Sequence, residues 1–352
     1  MTTTEDIIRC PQSLRTRREE RRVQKREAVH KRHSNEVPRL CGQRIRSGLV
    51  LIDKPEGITS HAVVSYFKKT LEIKKIGHLG TLDPFASGLL PIMIGGATRL
   101  CDEILSSQKH YLFTIQLGVE TDTLDCCGIA TKHASVPQNL EEKLTLVLPD
   151  FIGDIEQVPP VYSALKMQGR PLYEHMRATG TLPVDIETKK RIVRIDTIHV
   201  VSVDLELARV TVRVRCGKGT YVRSLARDLA KAIGTVGHCH SLRREFIEPW
   251  HVDTALGFQK EHRPSYEEIQ KHVWIPEKIL PDVPKLVLSE KHTRALLSGN
   301  VCFVDSHEID ASLLTKFPCN VFIASQSDEV MYYGTAASVL DGCVKICPRK
   351  KI

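Results

Sequence analysis

None of the eleven cysteines forms a CxxC pair, and their number is odd. Disulfide frameworks and paired zinc sites both need such spacing, so reduced, intracellular thiols are expected. His238-Cys239-His240 sets three ligating side chains in a row. Ligands confined to one loop rarely close a tetrahedral site, and no paired set stands nearby, so no metal is expected. No apolar run reaches the roughly 18 residues needed to cross a bilayer, which excludes a spanning helix and leaves a cytoplasmic protein as the expectation. No GxGxxG follows a candidate strand, and P-loop and HExxH patterns are absent. Dinucleotide, nucleoside-triphosphate and zinc-protease chemistries therefore lack their usual carriers, and no organic cofactor is expected.

Apolar residues make up 41% of the 352 and charged residues 26%, enough apolar material for a packed core and too much for global disorder. The formal charge of +8 is unevenly spread. Residues 15–32 hold nine Lys/Arg and three Glu, a net +6, which leaves +2 for the rest of the chain. A basic arm over residues 1–46 on a nearly neutral body favours a polyanionic partner. Glu5, Asp6, Glu19, Glu20 and Glu27 within that arm are unlike an organellar transit peptide, which is poor in acids.

Ser47–Asp53 (SGLVLID) is a short apolar run ending in the turn signal Lys54-Pro55-Glu56-Gly57, and reads as a buried strand. Thr59 or Ser60 caps a helix running to about Leu71. Tyr111–Gly118 alternates as a strand, residues 192–203 and 208–216 form two more, and Thr220–Ile233 steps by three and one as an amphipathic helix closed by Gly234. Helices are also expected over residues 97–106 and 140–151. Beyond Pro276, Pro281 and Pro284, short strand-like runs suggest a small β-rich domain over residues 285–352, after a main domain over 47–275. The mixture is not a regular strand–helix alternation, so the expected class is α+β.

The segment 76–96 is punctuated by glycine and proline, and its centre, Gly77 to Pro91 (GHLGTLDPFASGLLP), holds one acid. Three glycines and two prolines fix turns and let a ligand approach the backbone. Asp83 stands immediately before Pro84, which favours an extended backbone. Residue types alone leave two jobs open for it, capping the Pro84–Leu90 turn or acting as a catalytic carboxylate.

Residues 77–99 (GHLGTLDPFASGLLPIMIGGATR) resemble the signature loop of the bacterial tRNA pseudouridine-55 synthase family, the TruB type. The likeness continues in order through Leu51-Ile52-Asp53-Lys54-Pro55, Lys109-His110-Tyr111, Gly118–Asp125 (GVETDTLD), Val158–Tyr173, Lys218–Arg223 (KGTYVR) and Ser241-Leu242-Arg243-Arg244, and covers roughly residues 47–250. Guide-RNA relatives share the GH-x-GTLDP core but usually lack the continuation seen at residues 88–91, which favours the stand-alone branch.

The resemblance implies a pseudouridine synthase fold, a mixed and largely antiparallel sheet flanked by helices and loops, with a PUA-like C-terminal domain. It implies isomerisation of uridine 55 in the T-arm of tRNA, without metal, cofactor or obligate protein partner. Asp83 would be the essential catalytic residue, as nucleophile or as the acceptor of a ribose proton, and Arg223 its cationic partner. Tyr111 would stack on the uracil or assist proton removal from C5. Tyr221 and Leu242 would line the pocket, His78 would help hold the flipped nucleotide, and Lys54 would lie close to RNA or to the Asp83 loop. Two other readings are a catalytic subunit of a guide-RNA-directed particle and a non-catalytic tRNA-binding or folding module. Isomerisation conserves the atoms of its substrate, which agrees with the missing cofactor motifs.

Overall fold

The computed structural model describes residues 47–352 apart from 106, 164, 168, 181–185, 260, 299, 328–329 and 339–341; the arm expected at residues 1–46 lies outside the described residues. The first strand, Ser47–Lys54, pairs antiparallel with Ser87–Gly95 along its whole length, from Ser47 opposite Gly95 to Lys54 opposite Gly88. Both strands are covered on two faces. Val50, Ile52, Leu90 and Ile92 join one apolar cluster, while Leu49, Leu51, Leu89 and Met93 join another. A strand buried on both sides has no polar face, so its sequence is a continuous apolar run and not an alternation. The glycine- and proline-punctuated segment 76–96 therefore holds regular strands as well as loop. Ile76–His78 and Ser87–Gly95 are paired strands, and the irregular part spans residues 79–86.

The main sheet runs in the order Leu256–Gly257, Ser47–Lys54, Ser87–Gly95, Gly237–Ile247, Lys109–Leu117, Arg209–Cys216, Arg191–Asp204, Gly153–Gln157, with two shorter strands joined at its sides. Its two parallel contacts are short, Ile52 with Leu256 and Arg243 with Ser87, so the sheet is mixed and largely antiparallel, within an α+β fold. Gly237–Ile247 is its central strand, and neither composition nor periodicity pointed to it. Its buried residues include Cys239, Leu242, Arg244 and Ile247, and bulges follow Cys239 and Arg244. Each bulge shifts the alternation by one residue, which erases the period-two signal. Lys109–Leu117 alternates buried and half-buried as its sequence indicates.

On one face of this sheet lies the helix Val222–Ala232, whose Leu225, Ala226 and Leu229 share a cluster with Phe113, Ile115 and Val212. It begins two residues later than Thr220, because Tyr221 is extended and Thr220 turns its hydroxyl back to Gly217 O. Thr59 caps the Ser60–Thr70 helix as expected, accepting from Ala62 N.

A second, five-stranded sheet contains Lys285–Val287, Cys302–Asp305, Cys319–Ala324, Val330–Ser338 and Cys343–Lys351. Leu286, Val304, Val321 and Ile346 fill its own cluster, whereas Phe322 and Tyr333 join Leu49, Leu89 and Trp250 beneath the main sheet. Arg99 donates to Lys351 O, and Lys350 pairs with Glu103 at 3.1 Å, fastening the last strand to the 96–105 segment.

Gly88 is the tightest backbone approach near the irregular loop. Its φ is +104°, and a Cβ there would stand 2.3 Å from Arg244 O. Gly88→Ala meets both a left-handed backbone and an immovable carbonyl, so it should cost about 2 kcal/mol or more of folding free energy. Urea denaturation checks this, and an unchanged midpoint would show that the two strands separate more easily than drawn.

Candidate active site

Residues 79–86 form a loop held from several sides. Ser60 Oγ both donates to Leu82 O and accepts from Leu82 N, each at 2.9 Å. Gly57 N donates to Pro84 O at 2.7 Å, Leu79 N to Pro91 O at 3.0 Å, and Ala86 N closes a turn on Asp83 O at 3.1 Å. Asp83 is therefore presented by a rigid loop, with its side chain about one-third exposed at 33%.

Its carboxylate meets Arg223. Oδ2 lies 2.9 Å from Nε as a close ion contact, and Nη2 donates to Oδ1 at 3.3 Å. These contacts go to a guanidinium and not to a backbone N–H, which sets aside the capping role. Arg223 is almost fully buried in the first turn of its helix and is held further by Thr123 O at 2.7 Å, Tyr162 O at 2.8 Å and Asp125 Oδ2 at 3.4 Å. One planar fork thus joins two acids and two loop carbonyls. Burial pushes the Asp83 carboxyl above its ordinary value; Arg223 opposes that shift, Asp125 adds to it, and Lys54 opposes it more weakly.

Asp125 is a site residue that the sequence reading quoted inside GVETDTLD without assigning it a role. Its Oδ1 accepts from Thr123 Oγ1 at 2.7 Å and Cys127 N at 3.0 Å, so the carboxylate is fixed before it meets Arg223. Arg244, quoted inside Ser-Leu-Arg-Arg, was likewise passed over.

Tyr111 is buried on the Lys109–Leu117 strand, opposite Arg244. Burial raises its phenol pKa, Arg244 opposes the rise, and Asp83 adds to it. Tyr111 is therefore a neutral phenol at neutral pH. Leu242 is buried in the same cluster as Tyr111, Leu82 and Val222 and forms an apolar wall behind them. His78 is half-buried; burial, Arg244 and His61 lower its pKa, so it is neutral, with Nδ1 lacking a hydrogen-bond partner. Tyr221 is half-buried, fixed by Gln157 through its backbone N–H and carbonyl, and covered by the Arg191 guanidinium at 4.2 Å from its ring.

Lys54 differs from a surface lysine near RNA. It is fully buried, and Nζ donates to Pro55 O at 2.8 Å and Ile58 O at 2.9 Å. Burial lowers its pKa to about 8, with Asp83 and Glu56 opposing. It shapes the turn facing the loop and lends positive charge to Asp83. His238 and Cys239 lie on the central strand, where His238 Nδ1 meets Val119 O at 2.8 Å and the Cys239 thiol donates to Ser241 O.

The arrangement supplies one carboxylate held against a buried cation, a neutral phenol and imidazole, and apolar walls. Such a site suits attack on, or proton removal from, an uncharged ring system.

Comparison with known proteins agrees with this chemistry. Residues 68–222 match the family model described as TruB family pseudouridylate synthase (N terminal domain). The chain is 38% identical over 268 residues to tRNA pseudouridine synthase B of Francisella philomiragia, covering 76% of this chain and 86% of that protein. It is 40% identical over 272 residues to the protein of the same name from Hydrogenovibrio crunogenus, covering 77% and 85%. Among solved structures it resembles a chain of a Cbf5-Nop10-Gar1 complex with TM-score 0.58 and 26% identity, covering 88% of this chain and 85% of that one. A chain of an H/ACA RNP bound to a substrate RNA containing 2'-deoxyuridine gives 0.57 and 25%, covering 86% and 84%. The matched segment of the family model takes in the Asp83 loop and Tyr111, and the chain belongs to the TruB family of pseudouridylate synthases.

Proposed function

We propose that this enzyme isomerises the uridine at position 55 in the T-arm of tRNA, using Asp83 as its essential carboxylate and needing no protein partner. It is an isomerase that makes pseudouridine in tRNA, in keeping with relatives named tRNA pseudouridine synthase B. The observation that carries the residue assignment is the Asp83–Arg223 contact at 2.9 Å on a loop pinned by Ser60 and Gly57.

The reaction breaks the bond between uracil N1 and ribose C1′, joins C5 to C1′, removes the proton from C5 and leaves one on N1, so that the atoms balance. Attack on C1′ and removal of a ribose proton both call for the ionised form of Asp83, which Arg223 favours against burial. Tyr111 stacks on the uracil or assists proton removal from C5, Tyr221 and Leu242 line the pocket, and His78 helps to hold the flipped nucleotide. Extruding a base costs a few kcal/mol, least for one already unstacked, and a T-loop uridine meets that condition. Affinity for the folded arm comes from shape and phosphates. Purified protein incubated alone with unmodified tRNA should install pseudouridine at that one T-loop position. Modification elsewhere, or only after a guide RNA is added, would overturn the substrate assignment.

Two further outcomes follow from charge. Ionised Asp83 is the reactive form, and its pKa lies above the ordinary 3.8. As pH falls, the single-turnover rate at saturating tRNA should therefore decline with a midpoint above that value. A midpoint at or below it would contradict the burial described here. The arm carries +6 over residues 15–32. Deleting residues 1–45 should flatten the log–log salt dependence of tRNA affinity by about 0.7–0.9 per lost phosphate contact, with the chemical step unchanged. Identical slopes would leave the arm without a binding role.

A further inference from the structure

Arg244 is the largest fully buried side chain in the described structure, at 1% exposure. Its described hydrogen bonds go to two backbone carbonyls and to no acid. Nε donates to Leu89 O at 2.8 Å and Nη2 to Gly80 O at 3.1 Å. Those carbonyls stand on either side of Asp83, at the entry to the loop and just past its exit. Tyr111 is its neighbour across the sheet, their Cα atoms facing each other, and the guanidinium's charge opposes the rise in the phenol's pKa. The backbone of Arg244 also faces Gly88 in the only parallel contact that joins the two halves of the sheet among the described residues.

Burying a guanidinium without a carboxylate is costly, and an apolar side chain of similar volume would fill the same space more favourably. A purely packing role therefore does not account for arginine here. A rigid fork can satisfy two carbonyls at once while its charge faces a neighbouring phenol, as an ammonium or an aliphatic chain cannot. We infer that Arg244 is a positioning residue, which pins both flanks of the Asp83 loop and orients the Tyr111 phenol towards the reacting base.

The inference rests on Asp83 and Tyr111 being the reacting pair. Arg244 makes no described contact with the Asp83 carboxylate. Its effect passes through the loop backbone and the phenol. Its charge also lowers the pKa of His78 and, more weakly, that of Lys54, which helps to keep the imidazole neutral while the lysine stays mostly charged. Orientation matters steeply in such sites, since a displacement of about 1 Å can cost on the order of 100-fold in rate.

The test uses the full chain with Arg244→Lys, which keeps the charge and loses the fork, and Arg244→Gln, which keeps hydrogen bonding and loses the charge. Three quantities are read: the single-turnover rate at saturating tRNA, tRNA affinity, and amide hydrogen exchange across residues 79–90 in the free protein. Arg244→Lys should slow the chemical step by about 100-fold while tRNA affinity stays within about threefold. Exchange should accelerate in the loop and not in the Val222–Ala232 helix. In a Tyr111→Phe background the further loss caused by Arg244→Lys should be smaller than in the parent, because one of its two targets is gone.

A rate within about threefold of the parent in both variants would overturn the assignment. Parallel losses of affinity and rate would make Arg244 an RNA-binding group instead, and exchange rising evenly over the whole chain would make it a packing residue. Exchange is read without substrate, so loop pinning is judged apart from Asp83. Turnover persisting in Asp83→Asn would instead sink the reading of the site.

Discussion

Asp83→Asn is expected to lower pseudouridine formation on the order of 10⁴-fold or more, with tRNA affinity preserved and the fold no less stable than the parent. An amide matches the shape of the carboxylate but can neither attack carbon nor accept a proton at neutral pH. Affinity persists because it comes from phosphates and shape, whereas Asp83 acts on one sugar. The stability half follows from the sign of the pKa shift. The folded-state pKa is raised, with burial the first cause, so ionisation is less favourable in the fold than in the unfolded chain. At neutral pH the charge on Asp83 therefore subtracts from stability, and the loss is recovered as pH falls through the raised pKa towards the unfolded value. Asparagine removes that cost, and Arg223 keeps Asp125, Thr123 O and Tyr162 O. The melting temperature of Asp83→Asn should equal or exceed that of the parent. A variant that is both inactive and strongly destabilised would mean that Asp83 holds the loop together instead of being held by it.

That asymmetry between charge and packing also decides what was legible in the sequence. The helix at Val222–Ala232 and the strand at Lys109–Leu117 each show one face to the core and one to solvent, so their periodicity could be read directly. Ser87–Gly95 is apolar on both faces and interrupted by Gly88 and Pro91, and Gly237–Ile247 is polar and twice bulged. Neither carries a period, and together they make the centre of the main sheet. Asp83 was legible as an acid alone in a glycine- and proline-rich loop. Its partner Arg223 looks like any helix cation until the fold brings it 140 residues back. Arg244 was harder still, because a buried arginine without an acid has no pattern in one dimension. A lysine in a turn suggests solvent, whereas Lys54 is enclosed by two carbonyls and lies near Asp83, the second of the two places expected for it.

Arg223→Lys is expected to lose on the order of 10³-fold in the chemical step, which separates a fork from a point charge. Arg223 reaches Asp83 through Nε and Nη2, Asp125 and Thr123 O through Nη1, and Tyr162 O through Nη2. A lysine ammonium has three donors at one point and a shorter reach, so it serves one of the two carboxylates and leaves the other without its cation. If it settles on Asp125, whose carboxylate is already fixed by Thr123 and Cys127, Asp83 loses the main interaction that favours its charged form. The acid-side midpoint of the rate should then move upward relative to the parent, in addition to the fall in maximal rate. Arg223→Met removes the cation altogether and leaves two neighbouring carboxylates without their shared partner, which should destabilise the fold by about 3–5 kcal/mol. Adding Asp125→Asn to Arg223→Met should recover part of that stability but none of the activity, because the recovery comes from removing a buried charge and the reaction still lacks its cation. Near-parental turnover in Arg223→Lys, or an unshifted acid limb in a slow one, would show that the Asp83–Arg223 contact is not what keeps the carboxylate ionised.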